Sequence, residues 1–140
     1  MGDNLKVLVA EDDAILAYAL ELVVHEAGHE IIGPFPTAAG ALAALGEIGP
    51  EIAFVDIGLD GLTNGVALAQ VLTARFGTTV FLVSGDRRTA LGSRGAAYGF
   101  IEKPASESTF RAALAHAIAI RGGTTEQPPA GIIPLAAAAA

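Results

Sequence analysis

Short apolar runs alternate along the chain with longer stretches of helical period. The runs are Leu5-Lys6-Val7-Leu8-Val9-Ala10, Glu51-Ile52-Ala53-Phe54-Val55, Thr79-Val80-Phe81-Leu82-Val83 and Tyr98-Gly99-Phe100-Ile101. Short, bounded by turn residues and rich in Val, Ile and Phe, they predict buried strands. A further strand is predicted at His29-Glu30-Ile31-Ile32-Gly33, after Gly28, which is placed to end the first helix. Between the runs, Ile15, Ala19, Leu22 and Val23 are expected on one helix face. Leu42 with Leu45 marks a second, Leu68, Val71, Leu72 and Phe76 a third, and Phe110, Leu114, Ala117 and Ile118 a fourth. Strand and helix in alternation predict right-handed crossovers and an α/β architecture, a parallel sheet with helices on both faces. Near-continuous apolar strands agree, because such strands are covered on both sides.

Composition narrows what such a domain can do. At 140 residues the chain has room for one domain with a proper core. A mean hydropathy of +0.53 suggests a membrane protein. Alanine raises that figure, however, and no uncharged apolar stretch reaches the roughly 18 residues of a membrane span. The start, Met1-Gly2-Asp3-Asn4, has no leader character. The chain has no cysteine, so disulfides and thiolate metal sites are excluded, and a cytoplasmic location is the expectation. A formal charge of −7 opposes binding to DNA, and no helix carries clustered Lys and Arg. After Arg121 the composition turns to Gly, Thr and Pro and then Ala, which is read as a flexible low-complexity tail over 122–140 following a domain over 1–121. No second domain is expected behind it.

The chemistry sits at the strand ends. Glu11, Asp12, Asp56, Ser84 and Lys103 each fall at or just beyond the carboxyl end of an apolar run. In an open parallel sheet that is where ligands bind, so residues far apart in sequence are expected to converge. Three carboxylates brought together need a counter-charge. An all-oxygen set of this kind suits Mg²⁺, a hard cation. With an ammonium from Lys103 and a hydroxyl from Ser84, the set contains what in-line phosphoryl transfer requires, namely positioning and charge neutralisation.

These residues stand in four motifs: Val9-Ala10-Glu11-Asp12-Asp13, Phe54-Val55-Asp56-Ile57, Leu82-Val83-Ser84-Gly85 and Phe100-Ile101-Glu102-Lys103-Pro104, with 44 positions from Asp12 to Asp56. Together they resemble the receiver domains of two-component response regulators, over residues 4 to 121. The resemblance implies a flavodoxin-like, doubly wound five-stranded parallel sheet of order 2-1-3-4-5. It implies Asp56 as the phosphoacceptor, and Glu11, Asp12, Asp56 and the Gly58 carbonyl as Mg²⁺ ligands. Lys103 would pair with a phosphoryl oxygen, Pro104 matches a cis-proline position, and Ser84 would donate to the phosphoryl group. Phe100 matches the switch aromatic, whose ring would turn inward as Ser84 moves. The implied partners are a histidine kinase or histidine phosphotransferase and a downstream protein target, with phosphorylation-dependent dimerisation left open.

Plain structural roles compete with these. Asp13 reads as a helix N-cap, Ser84 is also placed to cap a helix starting near Asp86, and Phe100 to serve as static core. The histidines His25, His29 and His116 lie away from the strand ends.

The chain also departs from the commoner receiver pattern. Ser84 to Lys103 spans 19 positions, about three fewer than usual, so the fourth helix is expected to be short and marginal. Gly85 after the hydroxyl residue resembles an F-A-T-G-Y-like subgroup, much of it single-domain regulators. The loop from Gly58 to Gly65 is slightly long and rich in Gly. A stand-alone receiver, a binding module and not an enzyme, is the leading reading. A pseudo-receiver that binds without phosphorylation is the first alternative. A Mg²⁺-dependent phosphohydrolase with an Asp nucleophile is the last, because it needs a second acid where Gly58 stands. A nucleotide binder of similar topology is disfavoured, since acids follow the first strand where phosphate-cradling Gly, Ser or Thr would be needed.

Overall fold

The computed structural model describes residues 4–59 and 64–135. The elements follow the order β1 (Lys6–Ala10), α1 (Ala14–Glu26), β2 (Glu30–Phe35), α2 (Ala38–Ala43), β3 (Ile52–Asp56), α3 (Asn64–Phe76), β4 (Thr79–Ser84), α4 (Arg87–Leu91), β5 (Gly99–Glu102), α5 (Glu107–Arg121) and β6 (Ile133–Pro134). Short polar side chains cap the starts of α1, α2, α4 and α5. Asp13 accepts from the Ile15 and Leu16 amides, Thr37 from Gly40, Asp86 from Thr89 and Ser106 from Thr109. Gly28, with φ +83, stands just beyond α1, as its position predicts.

The sheet order is β2-β1-β3-β4-β5-β6. The first five strands run parallel in the order 2-1-3-4-5, and β6 adds antiparallel to β5. Two apolar layers cover the faces. On one, Leu8, Val55, Leu68, Leu72, Leu82 and Phe100 pack together; on the other, Val7, Val9, Leu20, Phe54, Phe81 and Phe110 do. Phe54 stacks on Phe81 with centroids 5.4 Å apart and meets Phe110 edge-on at 5.9 Å, tying β3, β4 and α5 into one layer. No helix among the described residues is long and apolar enough to cross a membrane.

Three expectations are corrected. The buried stripe of α1 is Ala17, Leu20, Val23 and Val24, while Ile15 is 83% exposed. The expected face Ile15-Ala19-Leu22-Val23 is thus rotated, because α1 is apolar nearly all round and periodicity alone does not choose a side. In α2 the buried residues are Ala38 and Ala41, with Leu42 turned outward, because the helix lies close enough that small side chains fill the contact. The flexible tail expected over 122–140 does not describe 132–135. Ile132 and Leu135 are buried and Ile133–Pro134 forms β6, since the exposed edge of β5 offers both backbone partners and apolar surface. Residues 60–63 of the Gly-rich loop and the alanines 136–140 lie outside the described residues.

Candidate phosphoacceptor site

Glu11, Asp56, Ser84 and Lys103 come together because β1, β3, β4 and β5 run parallel and end at the same rim. The Lys103 amide donates to the Ser84 carbonyl at 2.9 Å and the Ile57 amide to the Val83 carbonyl at 3.3 Å, which fixes the ends of β5 and β3 against β4. The Glu11 amide donates to the Phe35 carbonyl at 2.9 Å, anchoring the first acid to the end of β2.

Lys103 Nζ lies 3.2 Å from Glu11 Oε1 and 3.5 Å from Asp56 Oδ2. Glu11 and Asp56 are buried and Asp12 is exposed, yet one carboxylate oxygen of each lies within 4.8 Å of the others. Asp56 Oδ1 also accepts from the Gly58 amide at 3.1 Å, and Glu11 Oε2 from the Asp13 amide at 3.0 Å. Burial pushes the Glu11 carboxyl from 4.5 up to about 7; the Asp13 amide and Lys103 oppose this, and the charge on Asp56 adds to it. For Lys103 burial works the other way, but the facing carboxylates of Glu11 and Asp56 outweigh it and hold the ammonium above its usual value. Glu11 Oε1 is buried, and its one charged neighbour is the Lys103 ammonium, which it meets without forming a hydrogen bond. Three carboxylates clustered around a single ammonium leave negative charge in excess, and an all-oxygen set of this kind fits a hard divalent cation.

Ser84 is buried at the end of β4, and its Oγ accepts from the Asp86 amide at 2.8 Å. Its hydroxyl hydrogen is not used by that bond and is free to donate. The peptide Lys103-Pro104 is cis. Phe100 lies not at the rim but in the core, fully buried in the layer that also holds Ala97 and Leu135.

The profile of the response regulator receiver domain matches residues 7–115. The chain belongs to the receiver domain family. The receiver domain of NtrX from Brucella abortus is 28% identical over 81% of this chain and 98% of its own, with a TM-score of 0.71. The receiver domain of PhyR from Erythrobacter litoralis, solved by solution NMR, is 27% identical over 89% of this chain and 97% of its own, with a TM-score of 0.75. Longer NtrX from the same Brucella species is 27% identical with a TM-score of 0.75, but this receiver spans only 28% of that chain. No curated protein matches the sequence significantly.

Sequence reasoning missed one residue that shapes the site. Gly65, in the first turn of α3, donates its amide to the Ile57 carbonyl at 3.1 Å. A Cβ there would overlap the Asp56 carbonyl oxygen and fall 2.7 Å from Ile57 Cα. Glycine is what lets α3 seat against the strand that carries Asp56. Among many glycines in a loop, only the tertiary approach singles this one out.

Proposed function

We propose that this receiver takes a phosphoryl group on Asp56 from a histidine kinase or histidine phosphotransferase and thereby switches its contacts with a downstream protein. The observation that carries the reading is the Asp56 carboxylate at the end of a central strand, with the Lys103 ammonium beside it and two further acids around it. An Asp56 oxygen attacks phosphorus, the P–N bond to the donor histidine breaks, and its electron pair returns to the imidazole. Lys103 faces the phosphoryl oxygens once the group is in place, and the Ser84 hydroxyl donates to one of them. Glu11, Asp12, Asp56 and the Gly58 carbonyl would hold Mg²⁺, which when bound supplies neutralisation of the phosphoryl charge. Phe100, buried between β4 and the C-terminal segment, would carry any movement of Ser84 into the sheet edge.

The approach of a donor has support as well. Asp13, Ile15, Leu16, Ala19, Lys103 and Pro104 line a groove beside the acids, and Ile15 and Tyr18 are exposed on the adjoining face of α1. An apolar surface that reaches Lys103 suits a protein that must present a histidine to Asp56.

The test is incubation of wild type and Asp56→Asn with acetyl phosphate and Mg²⁺, with and without chelator, read by intact mass. One added phosphoryl group that is lost in the variant and in chelator is the expected result. Equal labelling of Asp56→Asn would remove Asp56 from the mechanism.

A further inference from the structure

β5 is the last parallel strand, and its outer edge is filled by the chain itself. Beyond α5 the chain turns at Gly122 and Gly123, whose φ is +104, and runs exposed until Glu126 Oε1 reaches His116 Nδ1 at 3.0 Å. A turn follows in which the Ile132 amide donates to the Pro129 carbonyl at 3.2 Å, with Gly131 at φ +92. Ile133 then pairs with Phe100, Pro134 with Gly99, and the Leu135 amide donates to the Tyr98 carbonyl at 2.9 Å. Successive side chains alternate across the sheet: Ile132 enters one apolar layer, Ile133 and Leu135 the other. The layer that takes Ile133 and Leu135 also holds Ala90 and Leu91 of the five-residue α4. Gly99 completes the fit, since a Cβ there would stand 3.0 Å from Ile132 Cγ2.

The attachment is short. Its ladder has two residue pairs, and the segment leading to it is largely exposed. Such elements open at lower free energy than the core that they cover.

We propose that the edge of β5 is a strand-binding site held shut in cis by residues 131–135. The strap is a removable lid, and its competitor in trans is an extended peptide of a partner protein with apolar side chains at the spacing of Ile132, Ile133 and Leu135. Main-chain bonds to Tyr98 and β5 supply affinity, and the two apolar layers supply side-chain selection. The proposal is independent of phosphorylation at Asp56.

The probe is a fluorescein-labelled peptide of residues 128–135, titrated by anisotropy into the full-length wild type and a full-length Ile133→Ala, Leu135→Ala double variant. The variant is expected to bind at least about tenfold more tightly, because in the wild type the tethered strap competes at a high effective concentration. A peptide carrying Asp in place of Ile133 is expected not to bind. Equal binding to both proteins overturns the proposal, as does no binding to a variant whose β1 and β3 amides keep wild-type protection. Hydrogen exchange on the wild type decides independently of how the variant folds. The Leu135 amide is expected to exchange well ahead of the β1 and β3 amides. Exchange of Leu135 only at the rate of global unfolding makes the strap a fixed part of the core and sinks the idea.

Discussion

Replacing Glu11 by Gln tests the electrostatics of the site without touching Asp56. With its carboxyl raised to about 7 from 4.5, native Glu11 holds a proton that the unfolded chain has already released between those values. Its contribution is therefore fully favourable below about pH 4.5 and falls as pH rises through about 7. The difference corresponds to at most about 3 kcal/mol, at about 1.4 kcal/mol per tenfold change in proton affinity. Solvent screening does little to reduce it, because the side chain is 1% exposed. Glutamine has nearly the same shape and still offers an oxygen to the Asp13 amide, but it does not ionise. Urea unfolding of wild type and Glu11→Gln, both in chelator, should give a variant advantage that grows between about pH 4.5 and about pH 8 by up to about 3 kcal/mol. Saturating Mg²⁺ should shrink the wild-type deficit at the higher pH by favouring the charged carboxylate. Curves that stay parallel across that range would refute the reasoning, since Glu11 would then ionise as an ordinary exposed acid.

Lys103→Met removes an ammonium 3.2 and 3.5 Å from two carboxylates that a divalent cation would need. Mg²⁺ affinity by calorimetry is expected to rise by about tenfold, and a fall would mean that Lys103 helps to organise the acids instead of competing for them. Gly65→Ala forces a methyl group onto the backbone at Asp56 and should cost about 1–3 kcal/mol in urea unfolding. Weaker Mg²⁺ binding should accompany it, and unchanged stability would show that α3 shifts freely.

The parts of this protein legible in its sequence are those set by local pattern. The five parallel strands, the cap at Asp13, and the convergence of Glu11, Asp56, Ser84 and Lys103 all follow from apolar runs that end in chemistry-bearing residues; the cap of α4 is Asp86 and not Ser84, the residue expected there. Where local pattern was ambiguous the reading failed. The α1 segment contains Ile15, Leu16, Leu20, Leu22, Val23 and Val24, so several faces fit a helical period, and only packing against α5 and the sheet selects one. The C-terminal segment has linker composition, and its strand exists only through a partner more than 30 positions earlier, at Gly99 and Phe100. Gly65 was visible as a glycine but not as a contact, because the atoms that it makes room for belong to another element.

The placement of Leu135 has a mechanical consequence. A tether, label or fused domain attached beyond it pulls directly on β6, and an antiparallel pair of two residues yields one bond at a time when peeled from its end. Load applied at the amino end reaches β1 instead, which lies between β2 and β3 and resists along its length. Surface immobilisation or single-molecule force measurements would thus report on two different objects, a detachable flap from one end and the whole sheet from the other.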